Sequence, residues 1–294
     1  MRYADLHCDF LSYLAEFRFG NLTFTDLPSA ARSAVIDSAL NKWKSGGCKI
    51  QCFALFCKGE SEADRESIQT QRALYQKIKP AFEALTGGKA VLTVEGGATI
   101  GATRGELTKL SSLFDSGVKI FSPVWNNQNS LSAPCGAAGG LTKKGKEAIA
   151  YALERGAIPD ISHASDGAAR DIFALAAERK KAVCATHSMV RALCPHVRNL
   201  TDTQIKKIAE SGGVAGVNFV RDFAGKYPVE KHVEYLVNLG GEDMAAIGSD
   251  FYGTERPYPE NPEKMPEFFR ALEKKFTPRQ LEKFAFSNAA RLLL

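Results

Sequence analysis

The stretch Ala90-Val91-Leu92-Thr93-Val94-Glu95-Gly96-Gly97 is a short, almost unbroken apolar run that stops at a carboxylate and two glycines. A run of this length and character suits a strand buried on both faces, as in a parallel sheet covered by helices. Working outward, similar runs occur at Tyr3–His7, Lys49–Phe56, Val118–Val124, Ala157–Ser162, Ala182–His187, Gly213–Phe219 and Met244–Asp250. Helical segments lie between them. Ala63–Leu85 places Ile68, Ala73, Leu74, Ile78, Ala81 and Phe82 near a helical period. Thr142–Leu153 opens with an N-cap after Gly139-Gly140, Asp166–Arg179 is similar, and Asp202–Ser211 closes on Gly212-Gly213. Eight strand–helix repeats predict the α/β class and a closed (β/α)8 barrel of the TIM type. An open doubly wound sheet would want a Gly-x-Gly-x-x-Gly phosphate loop, and Glu95-Gly96-Gly97 lacks that spacing.

A chain of 294 residues suits one such barrel, and no repeat, charge run or Pro/Gly-rich linker marks a second domain. The expectation is a single domain over residues 1–294. Its 38 basic and 33 acidic side chains are dispersed along the chain. Pairs such as Lys143-Lys144 and Lys180-Lys181 fall where helix surfaces are expected, without interleaved aromatic residues, so nucleic acid is not an expected partner. No apolar segment is long enough to cross a bilayer. Met1–Asp5 lacks the apolar core of a secretion signal, and the final Arg291–Leu294 is too short for a lipid-anchor tail. The expected setting is a reducing cytoplasm, away from membranes. The seven cysteines agree with it: Cys48, Cys52 and Cys57 form no Cys-x-x-Cys pair, an odd count leaves no complete disulfide set, and all are expected in the core.

The chemistry lies at the strand ends. His7, Glu95, His163, His187 and Asp250 stand at or just beyond the carboxyl ends of the first, third, fifth, sixth and eighth predicted strands. In a (β/α)8 barrel those ends converge on one mouth, where active sites lie. Each residue alone has a plain structural role open to it. Five at five strand ends point instead to a metal centre at that mouth. Asp9 stands two residues after His7, so both side chains can reach one ion. Imidazole and carboxylate donors without a thiolate set suit zinc better than manganese, cobalt or iron. Glu95 has two oxygens and can bridge two ions, and two ions roughly 3.5–4 Å apart can hold a hydroxide nucleophile between them at neutral pH.

Several segments also resemble a known family. Asp5-Leu6-His7-Cys8-Asp9 is similar to the opening Asp-x-His-x-Asp motif of the membrane dipeptidases (the renal dipeptidase family, M19-like), within the metal-dependent amidohydrolases. Val94-Glu95-Gly96-Gly97 resembles the family's bridging-glutamate segment, and Asp160-Ile161-Ser162-His163-Ala164-Ser165 its first late histidine. Thr186-His187-Ser188, with the following stretch from Arg191 to Asp202, resembles the second. Ile247-Gly248-Ser249-Asp250-Phe251 resembles the segment with the final aspartate. These run in family order along nearly the whole chain. The resemblance implies two divalent ions, expected to be Zn2+, with His7, Asp9 and Glu95 on one and Glu95, His163 and His187 on the other. It implies that Arg198 binds the C-terminal carboxylate of a dipeptide. Asp250 would bind the substrate amine and move protons to the departing nitrogen.

Two positions depart from the pattern of the renal enzyme. Where that enzyme has a histidine after strand four, Trp125-Asn126 stands here, and the Asn126 amide is expected to face the substrate oxyanion. The family's Asp-Phe-Asp-Gly is Asp250-Phe251-Tyr252-Gly253. His196 is expected to orient the Arg198 loop, and His232 to lie on the surface of a charged helix. Three functions stay open at this point: a dipeptidase, one that accepts a D-residue on the C-terminal side included; an amidohydrolase for a cyclic amide, lactone or N-acyl amino acid; and a non-catalytic metal-binding barrel. The partner expected is a small dipeptide, with a homodimer left open.

Overall fold

A computed structural model describes residues 1–16, 18–19, 22–100 and 107–294. Its main sheet is parallel and has seven strands: β1 (Tyr3–Cys8), β2 (Cys48–Phe56), β3 (Lys89–Glu95), β4 (Val118–Phe121), β5 (Ile158–Pro159), β6 (Ala215–Val217) and β7 (Ala245–Ile247). Their order is β5-β4-β3-β2-β1-β7-β6. The two edges meet across one further segment. Cys184 pairs with Asp160 beyond β5, and Ala185 pairs with Ala215 of β6, both in parallel. The segment therefore occupies the sixth position of the expected (β/α)8 barrel, as single bridges and not as a full strand over 182–187.

Strands four, five, seven and eight are also shorter than expected. Pro123 and Pro159 each lack an N–H for a ladder, so the pairing of β4 and β5 covers few residues. Between strands run α1 (Phe10–Glu16), α2 (Ser29–Gly46), α3 (Glu62–Thr86), α4 (Leu107–Asp115), α5 (Lys143–Glu154), α6 (Asp166–Glu178) and α7 (Asp202–Glu210). Helix α3 begins at a reciprocal cap: Ser61 Oγ accepts from Asp64 N–H (3.2 Å), and Asp64 Oδ2 accepts from Ser61 N–H (2.8 Å).

Strand alternation divides the core into two layers. Ala90, Leu92 and Val94 of β3 face the helices, whereas Val91 joins a smaller cluster inside the barrel with Ala4, Leu6, Ile50, Cys52, Ile120, Cys184 and Ala246. The side-chain period of two carries Glu95 to the same inner side as Val91. The outer layer is denser in aromatics. Phe53 of β2 meets Trp43 of α2 and Phe82 of α3 edge-on, at centroid distances of 5.5 and 5.6 Å.

Ala289, Ala290 and Leu293, from the helix Asn288–Leu293, close the lower end of the inner cluster. Asn288 Nδ2 fixes that helix by donating to the carbonyls of Glu242 and Ala245, both at 2.8 Å. Leu293 is 2% exposed and Leu294 73%. Leu293→Ala is expected to cost about 2–5 kcal/mol through the cavity it leaves. Leu294→Ala should stay within about 0.5 kcal/mol of the parent. Urea unfolding of the two variants checks this, and equal effects would remove the helix from the core.

Candidate metal centre

Three carboxylate and three imidazole side chains meet at the upper end of the barrel. Alternation along β1 by itself would oppose this, because Ala4 and Leu6 already face inward. The register of β1 against β2 shifts between Asp5 and Cys8, and that irregularity frees His7 to turn toward the mouth. Its Nε2 lies 3.3 Å from Asp9 Oδ2, 3.5 Å from Glu95 Oε2 and 3.9 Å from Asp250 Oδ1. Glu95 presents its other oxygen to a different pair: Oε1 is 2.8 Å from His163 Nε2 and 3.3 Å from His187 Nε2. His163 and Asp250 reach these positions with positive φ (65° and 62°), a costly backbone state for side-chain-bearing residues and one that concentrates at functional sites.

The hydrogen bonds behind the imidazoles set their tautomers. His163 Nδ1–H donates to Asn126 Oδ1 (2.7 Å), and His187 Nδ1–H donates to Thr186 Oγ1 (2.8 Å). The Thr186 hydroxyl is committed as a donor to Asp160 Oδ2 (2.6 Å), so toward His187 it can only accept. Both Nε2 atoms then carry bare lone pairs. They lie 2.9 Å apart and both face Glu95 Oε1. Burial pushes His163 down to about 4, with Arg198 adding to the effect, and burial followed by the nearby His7 holds His187 well below its ordinary value. Burial alone would raise the Glu95 carboxyl, but His7 and His163 hold it well below the glutamate range.

Three acceptor atoms thus converge with no proton between them, an arrangement that a cation relieves. On the other side Asp9 Oδ1 is buried without a hydrogen-bond partner among the described residues. The donor atoms of His7, Asp9 and Glu95, and likewise those of Glu95, His163 and His187, lie within 4.8 Å of one another. The residues fit a pair of divalent ions sharing Glu95.

Two buried aspartates hold the frame. Asp160 accepts from Ser122 Oγ, Ser162 N–H, Thr186 N–H and Thr186 Oγ, tying strands four, five and six together. Asp5 accepts from His7 N–H and from the backbone and hydroxyl of Ser249, tying the first strand to the eighth. The sequence alone assigns neither aspartate a role, although each stands close before a candidate ligand, in Asp5-x-His7 and Asp160-x-x-His163. Two glycines matter as well. Gly96 has φ +81°, and a Cβ there would sit 2.2 Å from the Cys57 carbonyl. A Cβ on Gly253 would sit 2.2 Å from Asp9 Oδ2 and 2.5 Å from Asp250 Oδ1.

A cavity of about 810 Å³ opens above these groups, lined among others by Asp9, Glu95, Asn126, His163, Arg198 and Asp250. Arg198 is 6% exposed. Its Nη2 donates to the His187 carbonyl (3.1 Å), its Nε has no partner, and it forms no ion pair among the described residues. The Phe223 ring lies 5.6 Å from the guanidinium. Burial, followed by the neighbouring Asp9 carboxylate, pushes Asp250 up to about 8. His196 Nδ1 accepts from Arg198 N–H (3.2 Å), in keeping with an orienting role. His232 differs from expectation: it is fully buried, its Nδ1 accepting from Val190 N–H and its Nε2–H donating to the Ala224 carbonyl, both at 3.1 Å. Charges along the helix Val229–Gly240 point to the surface, but His232 sits on its buried face, toward Val190 and Ala224. Of the cysteines, Cys135 and Cys194 are only half-buried, the other five being core residues as expected.

The chain is similar to known proteins in sequence and in fold. A family model described as membrane dipeptidase (peptidase family M19) matches residues 1–294. An uncharacterised Klebsiella pneumoniae protein from the pqqA 5′ region is 34% identical over 175 residues, 53% of this chain and 64% of that protein. Dipeptidase aclJ of Aspergillus oryzae is 31% identical over 123 residues, 39% of this chain and 28% of its own length. The chain thus spans less than two thirds of these curated relatives. Two solved structures share the fold with TM-scores of 0.84. One is the family M19 metallopeptidase dipeptidase AC (22% identity), the other a Rhodobacter sphaeroides metallopeptidase liganded with a phosphinate mimic of L-Ala-D-Ala (21% identity). Each covers 100% of this chain and 98% of the other.

Gly253→Ala is expected to push Asp9 and Asp250 aside and to weaken metal binding by about 10–100-fold, the usual scale for disturbing what orients a ligand. Competition with a chelating dye measures it, and an unchanged affinity would show that the glycine only shapes the loop.

Proposed function

This chain belongs to the membrane dipeptidase family, and we propose that it is a metal-dependent dipeptidase acting on substrates with free amino and carboxyl ends. The observation that carries the reading is the shared Glu95 carboxylate, with one oxygen toward His7 and the other toward His163 and His187. In this reading His7, Asp9 and Glu95 hold one ion and Glu95, His163 and His187 the other. Nitrogen and carboxylate donors without thiolate support zinc. When bound, the ions supply a nucleophilic water at neutral pH and stabilise the charge that develops on the attacked carbonyl.

The chain's own residues do the rest. Arg198 takes the C-terminal carboxylate, its buried guanidinium, which forms no ion pair among the described residues, being suited to a planar anion. Asn126 uses Oδ1 on His163, which leaves its amide N–H2 to donate to the carbonyl oxygen. Asp250 pairs with the α-amine. It also receives a proton from the attacking water and passes it to the amide nitrogen as the C–N bond breaks. Seven cysteines without a disulfide support a reducing, cytoplasmic setting. No described helix is long and apolar enough to cross a membrane.

Elemental analysis is expected to find close to two divalent ions per chain in the parent protein. Glu95→Gln should drop this to one or fewer, because an amide offers one neutral oxygen. Unchanged metal content and turnover in that variant would leave Glu95 a purely structural role.

Arg198→Met should weaken kcat/KM for a free dipeptide by about 2–4 kcal/mol. The corresponding dipeptide amide, a poor substrate from the start, should change little. Equal losses for the two substrates would mean that Arg198 merely positions its loop, and would favour an amidohydrolase that does not read a terminal carboxylate.

A further inference from the structure

Among its described lining residues the cavity above the metal centre has one lysine, Lys58, and one arginine, Arg198, and they follow opposite strand positions of the barrel. Arg198 follows the sixth strand position of the barrel. Lys58 follows β2, two residues after Phe56. Positions two and six of a closed eight-strand ring face each other across the mouth. Arg198 is buried, whereas Lys58 is exposed on the rim and makes neither an ion pair nor a hydrogen bond among the described residues.

A dipeptide lies across this space in a defined direction if the dipeptidase reading, on which this inference rests, holds. With its carboxylate on Arg198 and its amine on Asp250, the scissile carbonyl sits above Glu95. The C-terminal side chain then falls beside Phe223 and Val220. The N-terminal side chain points to the opposite wall, built by Tyr13, Phe56, Lys58 and Trp125. Phe56 and Trp125 meet edge-on there at 4.9 Å. They offer an apolar flank for methylene groups, and the Lys58 ammonium offers a counter-charge beyond them. Glu16 shares this rim, its Oε1 accepting a hydrogen bond from Ser67 Oγ (2.9 Å).

We propose that Lys58 is a specificity residue that selects dipeptides with an acidic side chain on the N-terminal residue. The α-amine and α-carboxylate of the substrate are matched by Asp250 and Arg198, so a side-chain carboxylate is what Lys58 has left to pair with. Glutamyl and aspartyl dipeptides are the class.

The test compares kcat/KM for Glu-Ala and its uncharged isostere Gln-Ala, with Lys-Ala and Ala-Ala alongside, in zinc-loaded protein. The parent should favour Glu-Ala over Gln-Ala about fivefold, the scale of one partly exposed ion pair, and less at high salt. Lys58→Met should bring the ratio near one, Lys58→Arg should keep it, and Lys58→Glu should invert it toward Lys-Ala. A parent ratio near one, a parent preference for Lys-Ala, or a ratio indifferent to Lys58→Met and Lys58→Glu overturns the inference. Cleavage of Ala-Ala without any Glu/Gln discrimination removes this inference alone. Failure to cleave any of the four removes the dipeptidase reading, and this inference with it.

Discussion

One carboxylate placed between two sets of imidazoles is the constraint on which the site depends. Glu95 is buried and ionised, and each of its oxygens faces a different cluster of donors. A buried anion of this kind is tolerated only with compensating positive charge. The neighbouring histidines cannot all supply it, since two of them are held neutral with lone pairs pointing at the same oxygen. The site therefore asks for cations, and the chemistry of two ions sharing a bridge follows from that demand.

The barrel is arranged around the same demand. Three of the strand ends that contribute a donor also depart locally from regular structure. The register of β1 slips before His7, and φ is positive at His163 and Asp250. Such departures cost energy and persist only where neighbouring contacts over-determine them. Asp5 and Asp160 provide those contacts. Each is buried and fully engaged by donors from different strands, so the mouth is braced by hydrogen bonds while the lower barrel is filled by small apolar side chains. Rigidity at the top and close packing below allow six ionisable groups to be held together before any ion arrives.

Much of this could be read from the chain before any fold was known. Glu95 ends an apolar run and is followed by two glycines, so its place at a strand end was legible, and so were those of His7, His163, His187 and Asp250. Strands β1, β2 and β3 fall within a residue or so of the runs that predicted them. From the fourth to the eighth the apolar runs extend beyond the paired residues, because apolarity reports burial, and a buried segment need not pair along its length. His232 differs from expectation for a related reason: charges around it mark one face of a helix, while the histidine sits on the other.

What the sequence by itself determined is the inventory and the order: which donors exist, that they stand at or just beyond the ends of apolar runs, and that eight such runs alternate with helices. Those follow from local periodicity and composition, which act over a few residues. Only the tertiary structure decided which atoms face one another. The split of Glu95 between two clusters, the tautomers set by Asn126 and Thr186, the closeness of Gly253 to Asp9 and Asp250, and the lack of an ion pair at Arg198 among the described residues all arise between residues far apart in the chain. They are fixed by barrel closure, because only a closed ring of strands brings the first, third, fifth, sixth and eighth ends to one point.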